Sequence, residues 1–205
     1  MSKPGFVDLR AAKREGMNVV AARKYPNPRK GPLSPDQIET RRIAYAIKST
    51  ASPLRDFDTA AREMAALITG PCWLVPIPDS AGNTDANALL AARIARYCPG
   101  AEVVRAIRRT QPIQSQCIRH RLVLGPIPQA QHHFTRTRKA LTRRQTYLVD
   151  NVTTSGNTLA AVCAALGFGA GLVFADATSH RTRLKPLSFD PHARPFGRVF
   201  LLWCD

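Results

Sequence analysis

The chain has 205 residues, 44% of them hydrophobic, and carries 30 Lys+Arg against 14 Asp+Glu, a formal net charge of +16. That length and apolar content suit one decorated domain with a real core and exclude a chain disordered throughout. No apolar run reaches about 18 residues, against a transmembrane helix, and the opening MSKPGFVDLRAAKREG lacks the apolar centre of a secretory signal, so a cytoplasmic protein without membrane partners is expected.

Residues 1–35 are basic and interrupted by Pro26, Pro28, Pro32 and Pro35. The prolines exclude a continuous helix and predict an extended arm, with the domain proper over 36–205. Ser34-Pro35-Asp36 is a helix start, Ser34 capping and Pro35 in the first turn, and Ile38, Ile43, Ala46 and Ile47 follow at helical spacing. A second helix is expected from Asp56 to Ile68, closed by Gly70, with Asp56 and Asp58 capping its start. Strand and helix then alternate: strand Cys72 to Pro78, helix Thr84 to Tyr97, strand Ala101 to Ile107, strand Gln145 to Asp150, helix Asn157 to Gly167, strand Ala170 to Thr178 and strand Arg198 to Cys204. Apolar strands alternating with helices predict an α/β domain with a mainly parallel five-stranded sheet flanked by helices.

Between Arg105 and Val149 there is no Asp or Glu, yet the span holds ten basic residues and three histidines. Its centre, LVLGPIPQAQHHF, has poor periodicity. An insertion of this kind, around 108–144, is either a basic hood over an anionic site or a solvated basic loop. The charge points to polyanionic partners, phosphorylated small molecules or nucleic acid, because arginine forks bond two oxygens at once. His132-His133 is a poor metal site, since adjacent residues on an irregular segment seldom ligate one ion. The five cysteines form no CxxC pair and read as buried hydrophobes. Trp73 and Trp203, in apolar strands, read as core.

The stretch YLVDNVTTSGNTL, Tyr147 to Leu159, stops a hydrophobic strand with a carboxylate and follows it with hydroxyls around a glycine. Ligands of parallel sheets bind at the carboxyl ends of strands. Asp150 there can accept hydrogen bonds from sugar hydroxyls. Gly156 allows close backbone approach, and a helix start near Asn157 favours an anion. An ordinary turn with a helix cap is the competing explanation.

The stretch resembles the 5-phosphoribosyl 1-diphosphate (PRPP) signature of type I phosphoribosyltransferases. Asp150 matches the first acid of that signature, Asn151 stands where a second acid is usual, and Thr153 to Thr158 (Thr153, Thr154, Ser155, Gly156, Asn157, Thr158) correspond to the loop that holds the 5′-phosphate. WLVPIPDS, Trp73 to Ser80, is similar to the first core strand and diphosphate loop of ComF-type members, with Lys48 as a matching lysine. The resemblance covers Tyr45 to about Ala177. It implies a five-stranded parallel core under a small hood, PRPP as ligand with Mg²⁺ carried mostly by that ligand, and no protein metal site. It further implies ribosyl transfer to a nitrogen acceptor with release of pyrophosphate, Asp150 and Asn151 serving at the reacting ribose. Asp79, Ser80, Ala81 and Gly82 would form the diphosphate loop, and Arg105, Arg108 and Arg109 would clamp the leaving group. Asn151 departs from the pattern, since it cannot be charged or act as a base. The alternative is therefore a non-catalytic module that binds PRPP or a nucleotide, and nucleic acid through the basic arm and hood. Either reading leaves room for a homo-oligomer.

Overall fold

The computed structural model describes residues 18–27, 31–115, 118–119, 122–125, 127–137, 141 and 144–177. Five strands form one sheet: β1 (Val19–Lys24), β2 (Cys72–Pro76), β3 (Ala101–Val103), β6 (Gln145–Thr153) and β7 (Ala170–Asp176). Their order is β1-β7-β6-β2-β3, and every neighbouring pair is parallel. A second, antiparallel pair joins β4 (Ile107–Arg109) to β5 (Phe134–Arg136). Among the described residues four α-helices flank the sheet: α1 (Pro35–Ala46), α2 (Leu54–Ala65), α3 (Asp85–Ala95) and α4 (Asn157–Leu166).

The expected α/β architecture with a parallel five-stranded sheet is present, but its fifth strand is β1, inside the segment read as a surface arm. The strand expected at Arg198–Cys204 lies outside the described residues, as do the tip of the arm and Trp203. Within β1, Arg23 is neutralised by a two-pronged bond to Glu63, at 2.6 and 2.7 Å, and its guanidinium lies 5.6 Å from the centre of the Phe174 ring. A basic strand can thus lie at the sheet's edge without exposing its charge to apolar neighbours.

Helix α1 begins as the sequence indicates. Ser34 caps it in a reciprocal capping box with Gln37, and Pro35 opens the first turn. Helix α2 starts two residues earlier than expected, and neither Asp56 nor Asp58 caps it. The buried Asp56 carboxylate is held by Arg42 at 2.8 and 3.0 Å, tying α2 to α1, and Asp58 pairs with Arg93 of α3 at 3.0 Å. The predicted strand Ala101–Ile107 divides: β3 stays in the main sheet, and the chain turns away to enter the hood at β4.

The sheet carries one apolar cluster on each face. Ile43, Phe57, Met64, Leu90 and Ile94 of α1, α2 and α3 pack with Leu74, Tyr147 and Phe174. Leu159, Val162 and Leu166 of α4 pack with Val75, Leu148, Val173 and Ile107 on the other side. Alternation along β6 sends Tyr147 and Val149 to one cluster and Leu148 to the other. Gly169, at φ 121°, lets the chain enter β7 beside Leu148, where a Cβ would lie 3.1 Å from that side chain. Among the described residues no helix is long and apolar enough to cross a membrane.

Candidate functional site

Strand β2 continues through α3 to β3 on one side of the sheet, and β6 continues through α4 to β7 on the other. The two central strands therefore send their following loops in opposite directions. A crevice opens at the carboxyl end of such a pair, where open parallel sheets bind ligands. A cavity of about 530 Å³ occupies that place. Of the residues singled out in the sequence, Asp79, Ser80, Arg109, Asp150, Asn151 and Thr158 line it together, and Lys48 joins them.

The loop after β2 is held by its own carboxylate. Asp79 Oδ1 accepts from the Ala81 and Asn83 amides, both at 2.9 Å, and the Gly82 amide donates to the Asp79 carbonyl at 3.2 Å. The Ala81 and Gly82 amides, expected to face a diphosphate, are instead bonded within the turn. Gly82 carries the left-handed φ of 96° that the turn requires.

Arg109 crosses from the hood to this loop. Its Nε donates to the Asp79 carbonyl at 2.8 Å, and one terminal nitrogen donates to the His132 carbonyl. The guanidinium stacks 4.1 Å from the centre of the Phe134 ring. Burial lowers its pKa to about 10, with Asp79 and Asp150 acting in the opposite sense. It remains a cation at neutral pH, bonded to carbonyls rather than to a carboxylate. Arg105 and Arg108 are not brought to the cavity. Arg105 pairs with Asp85 at 3.5 Å on the surface, and Arg108, one residue before Arg109 on β4, points to the opposite face and is exposed.

The strand expected to stop at Asp150 runs on to Thr153 beside β7, while its pairing with β2 ends at Val149, and Asp150 is partly buried just past that point. Its Oδ1 accepts from the Asn151 amide at 2.8 Å and from Asn87 Nδ2 at 3.2 Å. Burial raises its pKa to about 6, opposed by the Asn151 amide, Asn87, Lys48 and Arg109. The Asn151 side-chain oxygen accepts from the Val152 amide at 2.7 Å, so it serves its own backbone.

Beyond them, Thr153 is buried, whereas Thr154 and Ser155 are exposed. Gly156, at φ 76°, takes the N-cap position of α4 and has no side chain to cap it, while Ser155 Oγ accepts from the Asn157 amide at 3.4 Å. The first turn of α4 thus presents amides and a positive dipole end without an internal anion. Of this loop only Thr158 lines the cavity; Thr153 to Asn157 border the helix end beside it. Asn157 Nδ2 donates to the Ile127 carbonyl at 2.8 Å, pinning the hood to α4.

Two contributors were not identified from the sequence. Asn87 is buried on α3 and donates to the Ile77 carbonyl at 2.8 Å as well as to Asp150, bridging the ends of β2 and β6. Its signal was available: Asn87, Leu90, Ala91 and Ile94 form one buried helical stripe, and an amide in such a stripe calls for a polar partner. His132 is the other, 3% exposed and lining the cavity, while neighbouring His133 is exposed. The two rings therefore diverge. The sequence matches no protein-family model and no curated protein.

Proposed function

We propose that the cavity at the ends of β2 and β6 binds PRPP and that the protein transfers its ribose 5-phosphate to a nitrogen acceptor, releasing pyrophosphate. The observation that supports this reading is the meeting, at the switch point of a parallel sheet, of the β6 carboxylate of Asp150, a helix start with hydroxyls and no acidic cap, and a desolvated arginine. The 5′-phosphate would sit on the Thr154–Thr158 loop and the α4 amides. Asp150 would accept from the ribose hydroxyls and, ionised above about pH 6, balance positive charge at the anomeric carbon. Lys48, Ser80 and Arg109 would meet the diphosphate. In the reaction the acceptor nitrogen supplies the electron pair for the new C–N bond. The C–O bond to diphosphate breaks with its pair leaving on oxygen, and the proton lost by nitrogen passes to solvent. Mg²⁺ would neutralise the leaving group. Asp79 is committed to its own loop, so the ion would be held mainly by the diphosphate.

A second reading, a PRPP- or nucleotide-sensing module that also grips nucleic acid, is favoured by one feature: Asn151 uses its oxygen on the Val152 amide and offers no base. Calorimetric titration of PRPP with Mg²⁺ into wild type and Asp150→Ala, with pyrophosphate release measured on the same samples, separates the two. Binding with turnover supports the transferase, and binding without turnover across candidate acceptors supports the sensor. Absence of PRPP binding overturns the transferase, and absence of binding to nucleotides as well overturns the sensor.

A further inference from the structure

Asn87 sits in the first turn of α3, just past the loop that follows β2, and is 8% exposed. Its amide is oriented by what its nitrogen touches. Nδ2 donates to the Ile77 carbonyl at 2.8 Å and to Asp150 Oδ1 at 3.2 Å. A carbonyl and an ionised carboxylate only accept, so the nitrogen must face them and the oxygen must face away. That oxygen, Oδ1, receives no hydrogen bond from any described residue and is not enclosed by protein, and Asn87 lines the cavity. An amide in an otherwise apolar helical stripe is costly to bury unless both of its ends are used. The bond to Asp150 uses one end. Asp150 has a matching feature: its Oδ1 takes both the Asn151 amide and Asn87, and its Oδ2 accepts from no described residue. The bond between them thus joins two side chains on the wall of one cavity, each with one acceptor left over.

We infer that Asn87 is a ligand-contacting, specificity-determining residue: its Oδ1 accepts from one hydroxyl of a vicinal diol while Asp150 Oδ2 accepts from the other. This rests on the PRPP reading of the cavity and narrows it to sugars that carry both ring hydroxyls of ribose. Asn151, the neighbour expected to serve there, has its oxygen on the Val152 amide, so the second acceptor comes from α3 instead. A neutral amide oxygen beside a carboxylate divides a diol without setting two negative charges side by side. Lys48 and Arg109 both act on the Asp150 charge, and in that positive field hydroxyl donors are favoured over a metal cation. A sugar lacking one hydroxyl would cover an acceptor and leave it unpaired, a larger penalty than a misfit of shape alone.

The test titrates ribose 5-phosphate, 2-deoxyribose 5-phosphate and 3-deoxyribose 5-phosphate calorimetrically into the full chain and into Asn87→Leu, with PRPP and Mg²⁺ as the reference ligand. Wild type should bind ribose 5-phosphate about tenfold more tightly than either deoxy sugar. Asn87→Leu keeps the size of the side chain. It should bind ribose 5-phosphate about tenfold more weakly and cease to discriminate against one deoxy sugar while still discriminating against the other. Asn87→Ser, smaller and without the amide oxygen, should show the same selective loss and serves if the leucine variant does not fold. A residue that merely orients Asp150 would weaken both preferences together; that result, or two unchanged preferences, overturns the Asn87 contact. Wild type that binds PRPP yet not ribose 5-phosphate, or that binds all three sugars alike, overturns the diol assignment and leaves the PRPP reading standing. Wild type that binds neither PRPP nor ribose 5-phosphate overturns the diol assignment and the PRPP reading together.

Discussion

Asp150→Asn should make the free protein more stable and unable to do its work. The substitution keeps the shape and the oxygen that accepts from Asn151 and Asn87, and it removes only the charge. A carboxyl group whose pKa rises from 3.8 to about 6 on folding opposes the native state wherever it is ionised. The full displacement corresponds to about 3 kcal/mol, and partial exposure to water reduces this to about 2 kcal/mol. The sign follows from proton counts. Between the two pKa values the folded protein binds more protons than the unfolded chain, so stability falls as pH rises through this window. The cost is complete above about pH 6 and absent below 3.8. Thermal melts of wild type and variant at a series of pH values should show the variant higher by about 4–8 °C at pH 7.5. The gap should narrow as pH falls toward 4 and vanish below it. PRPP affinity should drop at least tenfold in the same variant. A gap independent of pH, or a variant that melts lower at pH 7.5, would refute the argument that desolvation dominates at this carboxylate.

Arg109→Lys keeps a charge but cannot reach both the Asp79 and His132 carbonyls; amide exchange in β4 and β5 should accelerate, and stability should fall by about 1–2 kcal/mol. Asp56→Ala removes the buried carboxylate that ties α2 to α1, while Arg42 keeps its two-pronged bond to Glu39, and should cost about 2 kcal/mol at neutral pH in a urea titration. The Asp56 pKa is lowered chiefly by the Arg42 hydrogen bond, so this contribution is present above the ordinary aspartate range and disappears as pH falls through the folded value. Asn151→Asp places a second carboxyl beside Asp150; each should make the other harder to ionise, and pyrophosphate release should rise if the missing acid limits turnover, measured as kcat at saturating PRPP. Gly169→Ala forces a Cβ to within 3.1 Å of Leu148 at a φ of 121° and should lower the melting temperature by several degrees, about 1–3 kcal/mol.

The buried centre of this fold was plain in the sequence because parallel strands covered on both faces read as short apolar runs, as CWLVP and AGLVFAD do. β1 was obscured because VVAARK ends in two cations and is followed by prolines. What makes it a strand is its parallel pairing with β7, far along the chain, with Arg23 neutralised by Glu63, and no local pattern reveals either. The break after β3 was hidden for a similar reason: AEVVRAI keeps one apolar rhythm while the chain passes from one sheet to another. At the site, Asp150 and the helix start were legible from residue type and order, though β6 does not stop at that carboxylate but runs on to Thr153. The inward choice of Arg109 over Arg105 and Arg108 was not, because it depends on which face of β4 meets the loop after β2. The ion pairs give that choice its meaning. Among the described residues Asp36 and Glu63 pair with Arg23, Glu39 and Asp56 with Arg42, Asp58 with Arg93, and Glu102 with Arg144. Asp150 and Arg109 share a cavity and form no such bond with each other. The carboxylate is left where its charge costs energy, and the guanidinium faces it bonded only to carbonyls. A ligand with hydroxyls for the first and an anionic group for the second would relieve both, and a phosphorylated sugar bearing a diphosphate has that pair of features.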